Sequence, residues 1–170
     1  SVGRLVEKKG YPTLLDALAQ LPPASDWRLT HIGGGPLDGA LKAQAEQLGI
    51  AARIQWLGAL PQEQVLAAYR RSDLFVLAAQ IAADGDRDGL PNVLMEAQSQ
   101  RLACIATNIS GIPELIKDGE TGLLVPPEDA TALTATVQSL IADPERRRQL
   151  ADAGFQRLHA HFAMDAGIND

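Results

Sequence analysis

The run Leu74-Phe75-Val76-Leu77 is apolar at every position and is bounded by polar or small residues. A strand with one wet face alternates polar and apolar side chains, so this run fits a strand covered on both faces, as in a parallel sheet with helices above and below it. The rest of the chain repeats the theme. Trp27 to Ile32, Arg53 to Leu57, Leu74 to Ala78, Ala103 to Ala106 and Gly122 to Val125 read as strands bounded by turn residues. Between them Tyr11 to Gln20, Leu37 to Leu48, Gln62 to Ser72 and Asn92 to Gln100 place apolar residues at helical spacing, as Leu14, Leu15, Leu18 and Leu21 do. Two more helices are expected from Ala130. The second opens at Asp143-Pro144, a cap followed by proline, and runs through Leu150, Phe155, Leu158 and Phe162. The βαβα order predicts an α/β fold built on a doubly wound parallel sheet of the Rossmann-like kind.

With 170 residues, 46% of them hydrophobic, the chain can bury one sizeable core, and a single domain over residues 1–170 is expected. The 15 basic against 21 acidic side chains give a formal charge of -6, the wrong sign for a nucleic-acid surface. Phosphate binding would have to be local. The single cysteine, Cys104, sits in an apolar strand where an inert thiol is expected, and with no partner for a disulfide a cytoplasmic setting is expected. No run of about 18 apolar residues marks a membrane span. The opening at Ser1 and the small, polar tail Asp165 to Asp170 read as the edges of a piece cut from a longer protein.

Ligands of open α/β sheets bind at the carboxyl ends of the strands, so four loops are read for chemistry. Gly3-Arg4-Leu5-Val6-Glu7-Lys8-Lys9-Gly10 is expected directly after a strand and carries three cations suited to phosphate. A solvated loop is the plain alternative. Gly33-Gly34-Gly35-Pro36 lets a phosphate or sugar approach bare backbone and a helix start, but it fails the dinucleotide fingerprint because Asp38 stands where the third glycine belongs. In the third loop Asp84-x-Asp86-x-Asp88-Gly89 imitates the front of a calcium loop, yet Met95 holds the place of the bidentate glutamate. The same segment leads through Pro91 into a helix start whose first amides can receive an anion. Thr107 to Glu114 could form an anion-binding concavity or a plain turn.

Together these segments resemble the nucleotide-binding domain of glycosyltransferase family four, retaining enzymes of the GT-B fold. The resemblance rests on Val2-Gly3-Arg4-Leu5 with Lys9-Gly10, Gly33 to Pro36, Trp56-Leu57-Gly58, Ser72 to Leu77, Ile105-Ala106-Thr107, Ser110 to Ile116 and Gly122 to Pro127. Its sharpest element is the pair of acids eight positions apart, Asp88 and Glu96, around Gly89-x-Pro91.

The resemblance implies the donor half of a two-domain enzyme that moves a sugar from a UDP-, GDP- or ADP-linked donor to an acceptor hydroxyl, with no metal and no cofactor. Arg4 and Lys9 would hold the diphosphate, while Lys8 is expected to point elsewhere on the same loop. Asp88 with the backbone of Gly89 and Leu90 would face the sugar, Glu96 the ribose hydroxyls, and the amides near Val93 and Leu94 a phosphate. Gly34 and Gly35 would line the donor site and Ile54 would border the base. An acceptor glycan or lipid-linked glycan would be bound by an N-terminal domain absent from this chain, so the piece alone is expected to transfer no sugar. The longer protein would be cytoplasmic, with a peripheral place at the membrane left open.

Two departures stand out. The first acid is usually glutamate and is Asp88 here, one methylene shorter, and Gln100 to Cys104 replaces the usual turn with small residue, glycine and proline. The acidic insertion Ala83 to Arg87 looks like a variant among exopolysaccharide-building members. Alternatives are a sugar-nucleotide epimerase or phosphorylase of the same fold, and a non-catalytic nucleotide-binding or interaction domain, the last with a calcium loop. Of the remaining polar residues, His31 is expected in the core or at a sheet edge. His159 and His161 are expected on different faces of the last helix, Arg146 to Arg148 on a solvated face, and Glu114 as a cap of its own turn in preference to a ligand contact.

Overall fold

A computed structural model describes the backbone of residues 1–163 and the side chains of residues 1–160. The side chains of His161 and Phe162 and the tail Asp165 to Asp170 lie outside the described residues. The strands are β1 (Leu29–His31), β2 (Ile54–Trp56), β3 (Leu74–Leu77), β4 (Ala103–Thr107) and β5 (Leu123–Val125). Interleaved with them are α1 (Tyr11–Ala19), α2 (Asp38–Gln47), α3 (Gln62–Arg71), α4 (Asn92–Ser99) and the single turn α5 (Ile112–Leu115). Then come α6 (Ala130–Ile141), α7 (Pro144–Arg157) and a π-helical turn, Leu158–Ala163. No helix among the described residues is long and apolar enough to cross a membrane.

All ladders are parallel, as expected: β1 runs beside β2 with His31 opposite Trp56, and β3, β4 and β5 follow in that order with Phe75 opposite Cys104 and Ile105 opposite Leu123. The first loop follows a single bridge rather than a strand. Val2 pairs with Ile32, Ile32 N donating to Ser1 O at 3.0 Å and Gly3 N to Ile32 O at 2.9 Å.

Helices cover both faces of the three-stranded β3-β4-β5 sheet, which is the physical reason for its apolar strands, whereas β1 and β2 form a separate pair in which Gln55 is exposed. In β4, Ala103 and Ile105 point into a core made with α1, α2 and α6, whereas Cys104 and Ala106 point into a second core with α3 and α4. Along β3, Phe75 and Leu77 join the second core while Leu74 and Val76 pack on the first. Leu14, Leu15, Leu18 and Leu21 line the first core, so the helical spacing of α1 is realised as one buried stripe. Burial pushes the Cys104 thiol up to about 12, which leaves it protonated and inert.

Helices α6 and α7 start on aspartate caps, with Asp129 Oδ1 accepting from Ala132 N at 2.9 Å and Asp143 Oδ1 from Arg146 N at 3.0 Å. Each cap contributes about 1 kcal/mol. The expected strand from Trp27 shortens to Leu29 because Arg53, rather than opening β2, gathers the preceding loop. Its guanidinium donates to Ser25 O and Pro23 O and lies 5.1 Å from the Trp27 ring centroid. The arginine run is not simply a solvated face either. Arg146 donates to Gly119 O at 2.6 Å and Arg147 to Leu140 O and Ile141 O, satisfying carbonyls outside their own helix; only Arg148 makes a plain surface pair, with Glu145.

Candidate functional site

Three loops are knitted together at the carboxyl ends of the first strands. Leu5 N donates to Gly34 O at 3.0 Å and Gly33 N to Gly58 O at 2.8 Å. Gly33 holds φ of 125°, and a Cβ there would sit 2.1 Å from Gly3 O, so no side chain fits where the loops cross. A cavity of about 540 Å³ opens beside this crossing, lined by Gly3, Arg4, Gly34, Gly35, Leu60 and Val65 among others. Arg4 is exposed and its guanidinium has no partner among the described residues.

The short 3₁₀ turn Glu7–Lys9 ends at Gly10, whose φ is 70° and whose Cβ would meet Ala78 O at 1.7 Å. That close approach seats the first loop on the loop after β3. Gln80 N donates to Lys8 O and Ala83 N to Glu7 Oε1, and Lys9 Nζ donates to Asp88 Oδ2 at 2.6 Å. Two of the expected site residues, 79 positions apart, are thus in direct contact.

Lys8 does not point elsewhere. Its ammonium lies 3.4 Å from Asp88 Oδ1 and 3.6 Å from Asp86 Oδ2, and the negative charge of Asp88 raises its pKa above the usual lysine value. The 3₁₀ turn places both lysines over the same loop. Asp84 Oδ1 accepts from Asp86 N, while Asp86 and Asp88 are paired with lysines, so the carboxylates that a calcium loop would gather are already engaged by other groups. Among the described residues no group of three or more His, Cys, Asp or Glu is arranged to hold a metal.

Past Asp88, Gly111 N donates to Gly89 O at 3.0 Å, which ties this loop to the one after β4, and Leu90 packs against Gly111. Helix α4 then begins at Pro91 with no side-chain cap. The first-turn amides of Asn92 and Val93 precede any intrahelical acceptor. The amide of Leu94, expected to meet a phosphate, already donates to Pro91 O at 3.2 Å, and its side chain is fully buried.

Glu96, one turn further on, faces α3. Its Oε1 accepts from the Tyr69 hydroxyl at 3.1 Å and its Oε2 from Gln62 Nε2 at 3.0 Å. Burial first, and then the Glu96 charge, push the Tyr69 ionisation far above the ordinary tyrosine range, so the hydroxyl remains a donor.

Ile54 is not part of this assembly. It begins β2 opposite Leu29, at the amino end of the strand, and packs on the first core. The carboxyl end of β2 instead delivers Ala59 and Leu60 to the cavity. The strand-end rule applied to Trp56-Leu57-Gly58 would have found them. A second cleft of about 430 Å³, lined by Ser1, Arg28, Thr30, Arg71 and Asp73 among others, lies at the amino ends and touches none of the expected residues.

Glu114 does not cap its helix; α5 has no side-chain cap, and the Glu114 carbonyl accepts from Arg157 at 2.9 Å. His31 is fully buried, as expected for a core histidine. Its Nδ1 lies 2.8 Å from Ser1 Oγ, and its ring meets Tyr11 and Trp56 edge-on at 4.8 and 5.7 Å. Burial pushes it down to about 4.

Residues 1–157 match the profile of the family described as glycosyl transferases group 1. The chain is similar to the GDP-mannose-dependent alpha-(1-6)-phosphatidylinositol monomannoside mannosyltransferase of Mycolicibacterium smegmatis, 33% identical over 96% of this chain and 42% of that protein. It is also similar to the putative colanic acid biosynthesis glycosyltransferase WcaL of Salmonella typhimurium, 38% identical over 79% of this chain and 34% of that protein. Among solved structures, HepE of Anabaena in complex with UDP superposes with a TM-score of 0.79 at 25% identity, over 95% of this chain and 44% of that one. The chain spans less than half the length of each of these three proteins. Its fold is that of a Rossmann-like half of a GT-B glycosyltransferase.

Proposed function

The chain belongs to the glycosyl transferases group 1 family, and we propose that it is the donor-binding half of a retaining enzyme that takes its sugar from a nucleoside diphosphate. The observation that carries this reading is the meeting of Lys9 and Asp88 at 2.6 Å beside the glycine-lined cavity that holds Arg4. One end of that pair suits a phosphate and the other a sugar hydroxyl. The free amides at the start of α4 add partial positive charge on the same side of the sheet.

The chemistry follows from where charge develops. As the bond from the sugar carbon to the diphosphate breaks, the leaving oxygens gain negative charge, and cations and amides already aimed there stabilise the transition state more than the bound donor. Arg4 and Lys9 supply that countercharge. Asp88 has both oxygens engaged by lysines, which blunts it as a covalent nucleophile. We favour departure and attack on one face of the sugar: the acceptor oxygen bonds to the carbon as the phosphate leaves, and the acceptor proton passes to a departing phosphate oxygen. Glu96 would accept from the ribose hydroxyls.

Acceptor contacts would come from the part of the enzyme outside this chain. The names of the relatives, a phosphatidylinositol mannoside mannosyltransferase and a colanic acid glycosyltransferase, support a glycan or lipid-linked glycan as acceptor. The base is open between the GDP-mannose named for one relative and the UDP held by another. Calorimetric titration of the chain with UDP, GDP, ADP and their hexose conjugates tests the reading. Saturable binding of a diphosphate, tighter than of the matching monophosphate, is expected, with no sugar transfer by the chain alone. Absence of binding to every nucleotide would overturn it.

A further inference from the structure

The Glu96 carboxylate is held from both ends of one helix. Gln62 opens α3 and Tyr69 stands in its last turn, seven residues on, so the two share a helix face. That face meets α4, and one oxygen of Glu96 accepts from each residue, at 3.0 and 3.1 Å. Between them on α3, Val65 lines the glycine cavity, which puts this seam beside the site. Tyr69 cannot shift: it is 2% exposed, its ring packs edge-on against Phe75 at 5.6 Å, and its hydroxyl also lies 3.5 Å from Val93 O.

We propose that Tyr69 and Gln62 are positioning residues that lock the Glu96 carboxylate so that its remaining lone pairs meet the vicinal hydroxyls of the donor's ribose. The proposal rests on the reading of Glu96 as the ribose contact. A carboxylate offers about four acceptor sites. Two are filled by α3, which leaves two open to a ligand. A free glutamate on an exposed helix face would lose rotamer freedom on binding, and prior fixing removes that cost. The two donors therefore act on discrimination between ribose and deoxyribose rather than on nucleotide affinity at large.

The test is calorimetry on the 170-residue chain with UDP, GDP and ADP, each compared with its 2′-deoxy counterpart, alongside melting temperatures. The parent prefers the ribonucleotide by about ten-fold or more, the effect of one hydrogen bond to a charged group. Tyr69→Phe and Gln62→Leu each shrink that ratio several-fold, while affinity for the 2′-deoxy nucleotide stays within about two-fold. Equal losses for both sugars, or an unchanged ratio in both variants, overturn the proposal. If Tyr69→Phe does not fold, Gln62→Leu decides alone. Glu96→Ala separates the two layers. A collapsed ratio there with intact ratios in Tyr69→Phe and Gln62→Leu sinks the positioning role only, whereas an intact ratio in Glu96→Ala sinks the ribose reading and the positioning role with it.

Discussion

Lys9 Nζ lies 2.6 Å from Asp88 Oδ2, an ion pair between residues 79 positions apart that bolts the first loop to the loop after β3. The cation proposed to hold phosphate is thus already neutralised, and under that proposal a diphosphate must share Lys9 with Asp88 or displace it. Asp88→Asn removes that competitor. Diphosphate affinity should hold or rise by up to a few-fold, whereas the extra affinity contributed by the sugar should fall about ten-fold. Titrating the variant with the preferred nucleotide and its hexose conjugate checks both. Parallel losses for the two ligands would show that Asp88 does not serve the sugar.

Arg4→Ala and Lys9→Ala should each lose roughly 1.5–3 kcal/mol of diphosphate binding, about ten- to a hundred-fold, with a smaller loss for the monophosphate. Lys8 cannot serve as the inert comparison, because it shares Asp88 with Lys9. Lys8→Ala should give an intermediate effect, through a freer Asp88. Arg148, paired with Glu145 on α7, is the proper control. Should Arg148→Ala weaken binding as much as Lys9→Ala, bulk charge and not position is responsible.

The fold was largely legible because burial on both faces writes itself into the strands: Leu74 to Leu77 and Ala103 to Ala106 are apolar without interruption, and α1 repeats leucine at helical spacing. Asp88 and Lys9, which the structure brings into contact, could be singled out because motif spacing survives in one dimension. What escaped depends on packing between distant elements. Tyr69 and Gln62 lie 27 and 34 residues from Glu96, and nothing local distinguishes them from a core aromatic and a surface amide. Ile54 stands at the amino end of β2, which the sequence does not reveal because a strand's two ends look alike in it, while in the sheet the end near Gly58 faces the cavity. Lys8 was misjudged because alternation along a loop says nothing once the loop coils into a 3₁₀ turn.

Adjacent glycines separate folding from binding. Gly33→Ala forces a Cβ to within 2.1 Å of Gly3 O at a left-handed φ of 125°. The conformational strain alone costs about 1–3 kcal/mol, and the backbone clash adds to it. Gly34 has nothing within 4 Å of a Cβ, so Gly34→Ala should leave stability within about 0.5 kcal/mol. It should still weaken nucleotide binding if a phosphate or sugar passes over that backbone. Urea unfolding beside calorimetry resolves the two; normal binding by Gly34→Ala would place the ligand away from this loop.

Acid should weaken the fold through His31. In the folded chain the imidazole is fully buried, its Nε2 has no hydrogen-bond partner, and burial pushes its pKa down to about 4. In the unfolded chain it returns to its ordinary value of 6.5. Between those values the unfolded state binds the extra proton, so stability is full above the unfolded pKa and falls as pH drops toward the folded one. Lowering pH from about 7 to about 4.5 should therefore cost about 2–3 kcal/mol from this group. His31→Leu keeps the apolar contacts of the ring's site with Tyr11 and Trp56 and removes the imidazole titration. Urea unfolding at several pH values should show a markedly flatter acid limb for His31→Leu than for the parent, whatever the variant's stability at neutral pH. Identical slopes below about pH 6.5 would mean that the imidazole finds a way to carry its proton inside the fold.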